Sequence, residues 1–317
     1  MRDIQMVDLK SQYQDIKKDI DSRIQNVIDS TAFINGPEVK RFQEELETYL
    51  DVKHVIPCGN GTDALQVALM ALDLKPGDEV ITTTNSDGQQ MRYLPDTYLI
   101  SSSEIEAAIT PRTKAIIPVH LFGQSANMEE IMQVANKHNL KVVEDGAQSI
   151  GADFVFENGK KQKSGTIGDF GCTSFFPSKN LGCYGDGGAL FTNDEKLAEK
   201  ARMIVNHGMK VRYYHDEIGV NSRLDSIQAA VLSVKLQKLN KYNRSRNNAA
   251  NYYDQVFSEI EELQTPVRVE NSTHVFHQYT LRVLNGQRDA LQKHLMDNGV
   301  PAMIYYGLNI LNPTIFL

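Results

Sequence analysis

A lone lysine, Lys179, follows an apolar segment at residues 172–176 that is predicted to be a strand, and a glycine-rich stretch then runs to Gly188. Glycine allows the backbone to approach a ligand closely. An amine held against apolar surroundings is disfavoured as a cation, so it becomes nucleophilic. Such a lysine can form a Schiff base with an aldehyde cofactor, above all pyridoxal phosphate (PLP). The alternative is a solvated surface lysine beside a glycine turn.

A carboxylate and an amide stand near the end of another predicted strand. Residues 141–143 are predicted to be buried, Asp145 falls at the carboxyl end of that strand, and Gln148 lies three residues further on. Open α/β sheets bind ligands outside the carboxyl ends of their strands. A carboxylate there can pair with a protonated pyridine nitrogen, which makes the ring an electron sink. Gln148 can hydrogen-bond a ring substituent. Asp145 could equally be a helix N-cap, and the two roles are compatible.

An anion site is predicted earlier in the chain, where a short strand near Val55 enters a glycine turn and a helix is expected to open at Thr62 or Asp63. A helix N-terminus with glycine at its mouth binds anions, because free N–H groups and the helix dipole point outward. Gly61 and the hydroxyls of Thr62 and Ser174 could hold a phosphate there. Taken alone, the turn could also be an ordinary strand-to-helix connection with a threonine cap, and it matches neither a Walker loop nor a dinucleotide motif.

A phosphate site, a pyridine partner and a Schiff-base lysine thus follow one another along one α/β chain. These motifs resemble those of the DegT-type sugar aminotransferases, which are PLP enzymes of the aspartate aminotransferase fold. The resemblance runs from about Val7 to Tyr306 and rests on separate motifs in the same order, at residues 61–65, 76–80, 113–120, 144–148, 174–179 and 221–230. The stretch 172–188 is most similar to members that aminate nucleotide-linked 3-oxo sugars, including UDP-linked ones.

The resemblance implies how the cofactor would be held. Lys179 would form the Schiff base and later shuttle the proton. Asp145 would pair with the pyridine nitrogen, and Gln148 would contact the side of the ring that carries the hydroxyl. The residues implied to bind the phosphate are Gly61, Thr62, Ser174 and, from the neighbouring subunit, Asn221.

The resemblance also implies a homodimer with shared sites and a set of substrate contacts. The implied substrate-binding residues are Arg223, Tyr305 and Tyr306. The alternatives are a surface cation for Arg223 and a strand pair for the two tyrosines.

Two segments depart from the family pattern. The family has a helix, a strand and a cofactor-stacking aromatic residue between the strand at 79–82 and the segment at 95–98, whereas only the polar residues 83–94 intervene here, with Asp87 about where the aromatic is expected. A parallel crossover needs a dozen or more residues, so we expect a loose loop at 85–90 and weakened activity. The second departure is the tail at 307–317, which is unlike the family.

Composition indicates a soluble enzyme of the cytoplasm. The chain has 317 residues, 41% hydrophobic and 23% charged, with a net charge of −7. That charge disfavours a nucleic-acid partner, and no apolar run is long enough to span a membrane or serve as a signal peptide. The three cysteines show no close pairing, which suggests a reducing compartment. The eight histidines show no metal-ligand spacing, and we expect His120 and His207 to be packing or helix-cap residues.

The predicted fold class is α/β, of the PLP fold type I, with a mainly parallel sheet covered by helices on both faces. A helix is predicted from Pro37, another over 222–240 that continues to 257, a strand over 275–283, and a helix over 288–298 that ends at Gly299. We expect a large PLP-binding domain at 1–240 with N-terminal helices and a smaller, incomplete C-terminal α+β domain at 241–317.

Together these features predict a PLP-dependent aminotransferase that passes an amino group, from glutamate, to the keto group of a nucleotide-linked sugar for surface polysaccharide or amino-sugar biosynthesis. The alternative is a shortened homologue that binds or regulates and turns nothing over. The motifs favour the enzyme, and the two departures favour the alternative.

Overall fold

The computed structural model of the protein describes residues 4–83, 94 and 96–304, together with the backbone of 314–316. Its helices are α1 (Leu9–Ser30), α2 (Pro37–Leu50), α3 (Gly61–Ala71), α4 (Ser102–Ala108), α5 (Met128–His138), α6 (Glu195–Val205), α7 (Ser226–Leu236), α8 (Leu239–Phe257) and α9 (Arg288–Asp297). Its strands are β1 (His54–Cys58), β2 (Glu79–Thr82), β3 (Thr113–Ile117), β4 (Lys141–Asp145), β5 (Asp153–Val155), β6 (Lys161–Lys163), β7 (Phe170–Ser174), β8 (Gly188–Thr192), β9 (Met209–Val211), β10 (Tyr214–His215), β11 (Leu263–Gln264), β12 (Thr280–Val283), β13 (Met303–Ile304) and β14 (Thr314–Phe316).

A six-stranded sheet forms the centre of the molecule, with strand order β1-β8-β7-β4-β3-β2. The pairs β2–β3, β3–β4 and β4–β7 are parallel, whereas β8 runs antiparallel to both of its neighbours. The prediction of a mainly parallel sheet is confirmed. Because β1, β4 and β7 run the same way, their carboxyl ends meet at one edge, where parallel sheets bind ligands.

Helices cover both faces of this sheet, as the alternation of side chains along its strands requires. On one face, Val55 packs with Phe42 and Leu46 of α2. On the other face, the next residue of the strand, Ile56, packs with Val67 of α3. Burial of both faces explains why these strands are almost continuously apolar.

A second, four-stranded sheet has the order β11-β12-β14-β13. Helix α8 packs on it through Ala250, Tyr253 and Phe257, which lie against Tyr279 and Leu281. Among the residues described, no helix is long and apolar enough to cross a membrane.

Several predicted boundaries agree with the structure. Proline opens α2, as its fixed φ angle favours, and Gly299 has the left-handed φ of 75° expected just after a helix. Helix α3 begins at Gly61 rather than at Thr62 or Asp63, and its cap is Asn60, whose side chain accepts from the Asp63 N–H.

Two other predicted elements are wrong in extent. The helix expected from residue 222 begins only at Ser226, because Asn221 forms a β-bridge with Asn206 and the Ser222 N–H donates to Val205 O. The strand expected over 275–283 is confined to β12, because Phe276 has a φ of 46°, which no extended strand adopts.

The connection from β2 to β3 contains α4, so a helix is present in this parallel crossover. The loop expected at Asn85–Gln90 and the position of Asp87 lie outside the described residues. The central sheet nevertheless forms on both sides of the segment.

Candidate active site

Two candidate residues and the turn that leads into α3 lie at strand ends that meet at one edge of the central sheet. Asp145 ends β4 and Ser174 ends β7, and these strands are neighbours, with Asp145 opposite Cys172. Gly188, at the start of β8, pairs with both Ser174 and Cys58, the last residue of β1. The turn into α3 follows Cys58. The sheet therefore brings the predicted pyridine partner and the predicted phosphate site to the same edge.

Lys179 lies in the loop that leaves β7, close enough to Asp145 for the two charges to interact. Burial lowers the pKa of the Lys179 amine below its ordinary value, and the Asp145 carboxylate opposes that shift. Burial likewise raises the pKa of Asp145, against the opposing influence of its bond from Ala147 and of the nearby His120 and Lys179. An amine whose charged form is disfavoured by burial attacks an aldehyde more readily, and the half-buried position of Lys179 disfavours the alternative of a solvated surface lysine.

Asp145 is not a helix cap, because no helix begins within the turn that follows it. Its Oδ1 accepts the Ala147 N–H at 3.0 Å, which is a local side-chain turn of the kind aspartate favours. This is the single protein donor to the Asp145 carboxylate among the described residues, so acceptor capacity remains for a pyridinium N–H. The amide of Gln148 is fixed by a 2.6 Å bond that its Oε1 accepts from the N–H of Phe122.

The predicted phosphate site is built from close backbone approaches. A Cβ added to Gly61 would lie 2.7 Å from the Cβ of Ser174, and one added to Gly188 would lie 2.8 Å from the Gly61 nitrogen. Thr62 is exposed in the first turn of α3, where the first N–H groups of a helix lack intrahelical acceptors. Glycine is therefore required at both positions, and together they leave an anion-binding helix end open.

A link that the sequence did not reveal fixes this turn. The Ser222 hydroxyl donates to Asp63 Oδ2 at 2.6 Å and accepts the Gly59 N–H at 2.8 Å. The neighbouring Asn221 is exposed, and Arg223 is half-buried. Asn221 therefore lies beside the turn into α3 of its own subunit, with its side chain exposed. The other two predicted substrate-binding residues, Tyr305 and Tyr306, lie outside the described residues.

Glu144 and His120 form a second group, of which the sequence analysis expected only that His120 would pack or cap. Both are fully buried, with His120 Nε2 2.8 Å from Glu144 Oε2. His120 Nδ1 accepts the Ala126 N–H at 3.1 Å, so the proton must be on Nε2 and is donated to Glu144. In the sequence, the adjacent acidic residues Glu144 and Asp145 at the end of a predicted strand could have indicated that the two carboxylates have different roles. Nothing in the sequence identifies the groups that bind Glu144.

A cavity of about 600 Å³ borders the loop after β7 that carries Lys179, here called the lysine loop, and is lined in part by Phe176, Ser178 and His277. This volume lies in the range of small-molecule sites. Burial lowers the pKa of His277 well below its ordinary value, and the charges of Lys179 and Arg246 add to the effect. The charge of Lys179 thus influences both Asp145 and His277, and there is room for a ligand beside the loop that carries the lysine.

A mainly parallel α/β sheet with a half-buried lysine, a nearby carboxylate and an open helix N-terminus at one edge is the arrangement expected of a PLP enzyme of fold type I. The sequence profile of the DegT/DnrJ/EryC1/StrS aminotransferase family matches residues 14–86 and 91–315, so the chain belongs to this family. The match continues past Tyr306 to residue 315, so the expectation that the tail is unlike the family is wrong for those residues. The interruption at 87–90 falls within the segment 83–94.

Two curated relatives match almost the whole chain. A protein of Geobacillus stearothermophilus called pleiotropic regulatory protein is 44% identical over 320 residues, which cover 96% of this chain and 84% of the relative. The UDP-2-acetamido-2-deoxy-3-oxo-D-glucuronate aminotransferase of Pseudomonas aeruginosa is 44% identical over 318 residues, which cover 96% of this chain and 86% of that enzyme.

Solved structures agree with the fold. A DegT DnrJ EryC1 StrS aminotransferase from Brucella abortus is 37% identical, with a TM-score of 0.88, and the match covers 96% of this chain and 84% of that one. A Bacillus subtilis protein solved with its cofactor PMP, the amino form of PLP, is 30% identical, with a TM-score of 0.83, and the match covers 95% and 77%. The chain is therefore an aminotransferase of a PLP-dependent family.

Proposed function

We propose that the protein transfers an amino group, with glutamate as the donor, to the keto group of a UDP-linked 3-oxo sugar. The observation that carries this proposal is that Lys179 and Asp145 interact across a partly desolvated edge of the sheet beside the glycine-lined end of α3. The substrate class is supported by the name of the Pseudomonas aeruginosa relative. Amino sugars of this kind are building blocks for surface polysaccharides, which is the pathway we propose.

Each residue has a distinct task in this proposal. When bound, PLP carries the amino group and acts as an electron sink. The Lys179 amine is the attachment point and the general acid/base that moves the proton in each half-reaction. The Asp145 carboxylate holds the ring nitrogen in its protonated form, and Gln148 contacts the hydroxyl side. The phosphate is held by Gly61, Thr62 and Ser174.

The remaining assignments concern the second subunit and the substrate. We propose a homodimer in which the exposed Asn221 reaches the cofactor phosphate of the neighbouring subunit, since symmetric dimers commonly share sites. Arg223, Tyr305 and Tyr306 are proposed to contact the sugar nucleotide. A large domain at 1–240 and a small one at 241–317, divided near the start of α8, would close around the site. We also propose a cytoplasmic location, which is supported by the three free buried cysteines.

The non-catalytic alternative is disfavoured by the extent of the match. Relatives and the family profile align over nearly the entire chain, and the lysine with its carboxylate partner is intact. A protein that only bound a partner would not need a lysine whose pKa is lowered by burial next to Asp145.

The test starts with the purified full-length chain incubated with PLP. A visible absorption band should appear, and borohydride reduction should fix the cofactor on the peptide that contains Lys179. Glutamate with a UDP-linked 3-oxo sugar should then give the amino sugar and 2-oxoglutarate. Lys179→Ala should lose both the band and turnover while remaining folded by circular dichroism. Labelling of another peptide, or equal labelling in the variant, would contradict the assignment.

A further inference from the structure

The segment 274–277 lies outside any strand, yet its four consecutive carbonyls all accept side-chain donors. The donors come from one face of α8 and from the residue after Lys179: Asn247 Nδ2 donates to His274 O at 2.8 Å, Asn180 Nδ2 to Val275 O at 2.9 Å, and Arg246 NH1 to Phe276 O and His277 O at 3.0 and 3.1 Å. Side chains therefore replace the ladder bonds that a strand would supply. The replacement fixes this segment against both α8 and the lysine loop.

Asn180 connects the lysine loop directly to α8. It is 4% exposed, and its Nδ2 also donates to Asn243 Oδ1 at 2.8 Å. Both hydrogens of the amide are thus used, whereas its buried Oδ1 has no partner among the described residues. A buried acceptor without a partner destabilises the fold, so the favourable contribution of this amide comes from the two bonds it donates.

Asn243 continues the connection to the turn that follows Asp145. It is 7% exposed, and its Nδ2 donates to Ile150 O at 3.2 Å. It also fills the space beside Gly151, where an added Cβ would lie 2.5 Å from Asn243 Nδ2. One side chain of α8 thus contacts both the turn that follows Asp145 and the loop that carries Lys179.

We propose that Asn180 and Asn243 form a positioning pair that fixes where the Lys179 amine lies relative to Asp145. On one side, the lysine backbone is held by β7 and by the bond from its own N–H to Phe176 O at 2.8 Å. On the other side, the next residue, Asn180, is buried and donates hydrogen bonds to Asn243 and Val275. Without the pair, the residue next to Lys179 would lose its bonds to α8 and to Val275, which would allow the amine to shift from its desolvated position towards solvent.

The chain offers a matched control for this inference. Asn247 stands one helical turn beyond Asn243 on the same face of α8, and its Nδ2 donates to His274 O and to Asn243 O. It carries the same kind of side-chain to backbone bond but none to the lysine loop. A purely structural role would make Asn243→Ala and Asn247→Ala behave alike.

The experiment measures the titration of Lys179 without any cofactor, so it does not depend on the proposed transamination. Lysines of the apo protein are reductively methylated with ¹³C-formaldehyde, and the Lys179 signal is assigned by its loss in Lys179→Arg. We expect Asn243→Ala to raise the titration midpoint of Lys179 towards that of an exposed lysine, and Asn247→Ala to leave it unchanged. The positioning pair is refuted if both variants shift the midpoint equally or if neither shifts it.

A second measurement uses PLP and the double mutant. Each of Asn180→Ala and Asn243→Ala should weaken PLP retention by about tenfold, because each removes the bond between the two amides and one bond to a backbone carbonyl. The double variant should be no weaker than either single variant, because the pair acts as a unit. Additive losses would refute the coupling. If the natural chain bound no PLP, the proposed function would fail while the Lys179 titration still decided this inference.

Discussion

Glu144 and Asp145 are consecutive residues of β4, but their carboxylates have opposite hydrogen-bonding environments. Glu144 accepts four donors: His120 Nε2 at 2.8 Å and the N–H groups of Gly165, Ile167 and Gly168 at 2.9, 2.5 and 2.6 Å. Asp145 accepts one described protein donor, Ala147 N–H. Alternation along the strand directs the two side chains to opposite faces. Glu144 therefore ties the loop at 165–168 to the sheet, and Asp145 keeps its acceptor capacity for a ligand.

Glu144→Gln should destabilise the protein, because the new amide group would face N–H donors that now bind an anion. The expected loss in the free energy of unfolding is about 2–4 kcal/mol, since bonds to a charged group are lost and a buried donor is left unpaired. Urea unfolding of the apo protein measures it. An unchanged midpoint would show that the loop at 165–168 does not depend on this carboxylate.

Asp145→Asn should show the reverse pattern, with stability kept and activity lost. Burial raises the pKa of Asp145, so the folded state binds the proton more readily than the unfolded state does. This carboxylate therefore lowers stability above its folded pKa, and the cost disappears as the pH falls through that pKa. At pH 7 the apo variant should be at least as stable as the natural chain. Its stability advantage should shrink when unfolding is repeated near pH 4.

The activity of Asp145→Asn is the second half of that test. An amide cannot hold the ring nitrogen in its protonated form, so transamination should fall by at least about 10²-fold, a usual size for a lost proton-controlling group. Activity within a few fold of the natural chain would mean that another residue pairs with the pyridine nitrogen.

Gly61→Ala should clash with Ser174, because the added Cβ would lie 2.7 Å from the serine Cβ. We expect a loss of about 1–3 kcal/mol in unfolding free energy, typical of overpacking, together with weaker PLP retention. Adding Ser174→Gly should remove the clash and restore most of the stability. PLP retention should stay low, because the serine hydroxyl is gone; recovery of both properties would argue against a phosphate contact from Ser174.

The order of the chemical residues could be predicted from sequence because each belongs to a local pattern. The glycine turn before α3, the carboxyl end of β4 and the loop after β7 are all readable within about ten residues. The strand predicted over 275–283 forms only at its end, in β12. The carbonyls of residues 275–277 are instead bound by the side chains of Asn180 and Arg246, which are distant in sequence. The Ser222–Asp63 link is missed for the same reason, since 159 residues separate its partners.

A second buried lysine, next to the lysine loop, gives the most specific prediction for how the free energy of unfolding depends on pH. Lys235, in α7, is 1% exposed, and its Nζ donates to Gly182 O at 2.8 Å and lies 4.4 Å from the ring centre of Tyr184. Burial lowers the pKa of Lys235 to about 8. The amine therefore anchors the glycine-rich stretch after Lys179, although burial of its charge is unfavourable.

The sign follows from the lowered pKa. Between pH 8 and the unfolded pKa of 10.5 the unfolded state binds the Lys235 proton more tightly, so the contribution of Lys235 to stability should rise with pH in this window. Burial raises the pKa values of the neighbouring Cys183 and Tyr184 from 9.0 to about 11 and from 10.0 to about 12, so both groups have the opposite effect above their unfolded pKa values. The contribution of Lys235 is therefore measured as a difference from a variant that keeps both neighbours. The full effect of the Lys235 shift is roughly 3 kcal/mol.

Lys235→Met removes the charge and keeps the length of the side chain, so it should abolish this pH dependence. Relative to the variant, the natural chain should gain about 2 kcal/mol in unfolding free energy between pH 7.5 and pH 9.5. At pH 7.5 the two should be nearly equal, because relief of desolvation offsets the loss of the bond to Gly182. The control is Lys238→Met, an exposed position three residues later, which should parallel the natural chain at both pH values. If Lys235→Met also paralleled the natural chain, Lys235 would not be the buried cation responsible.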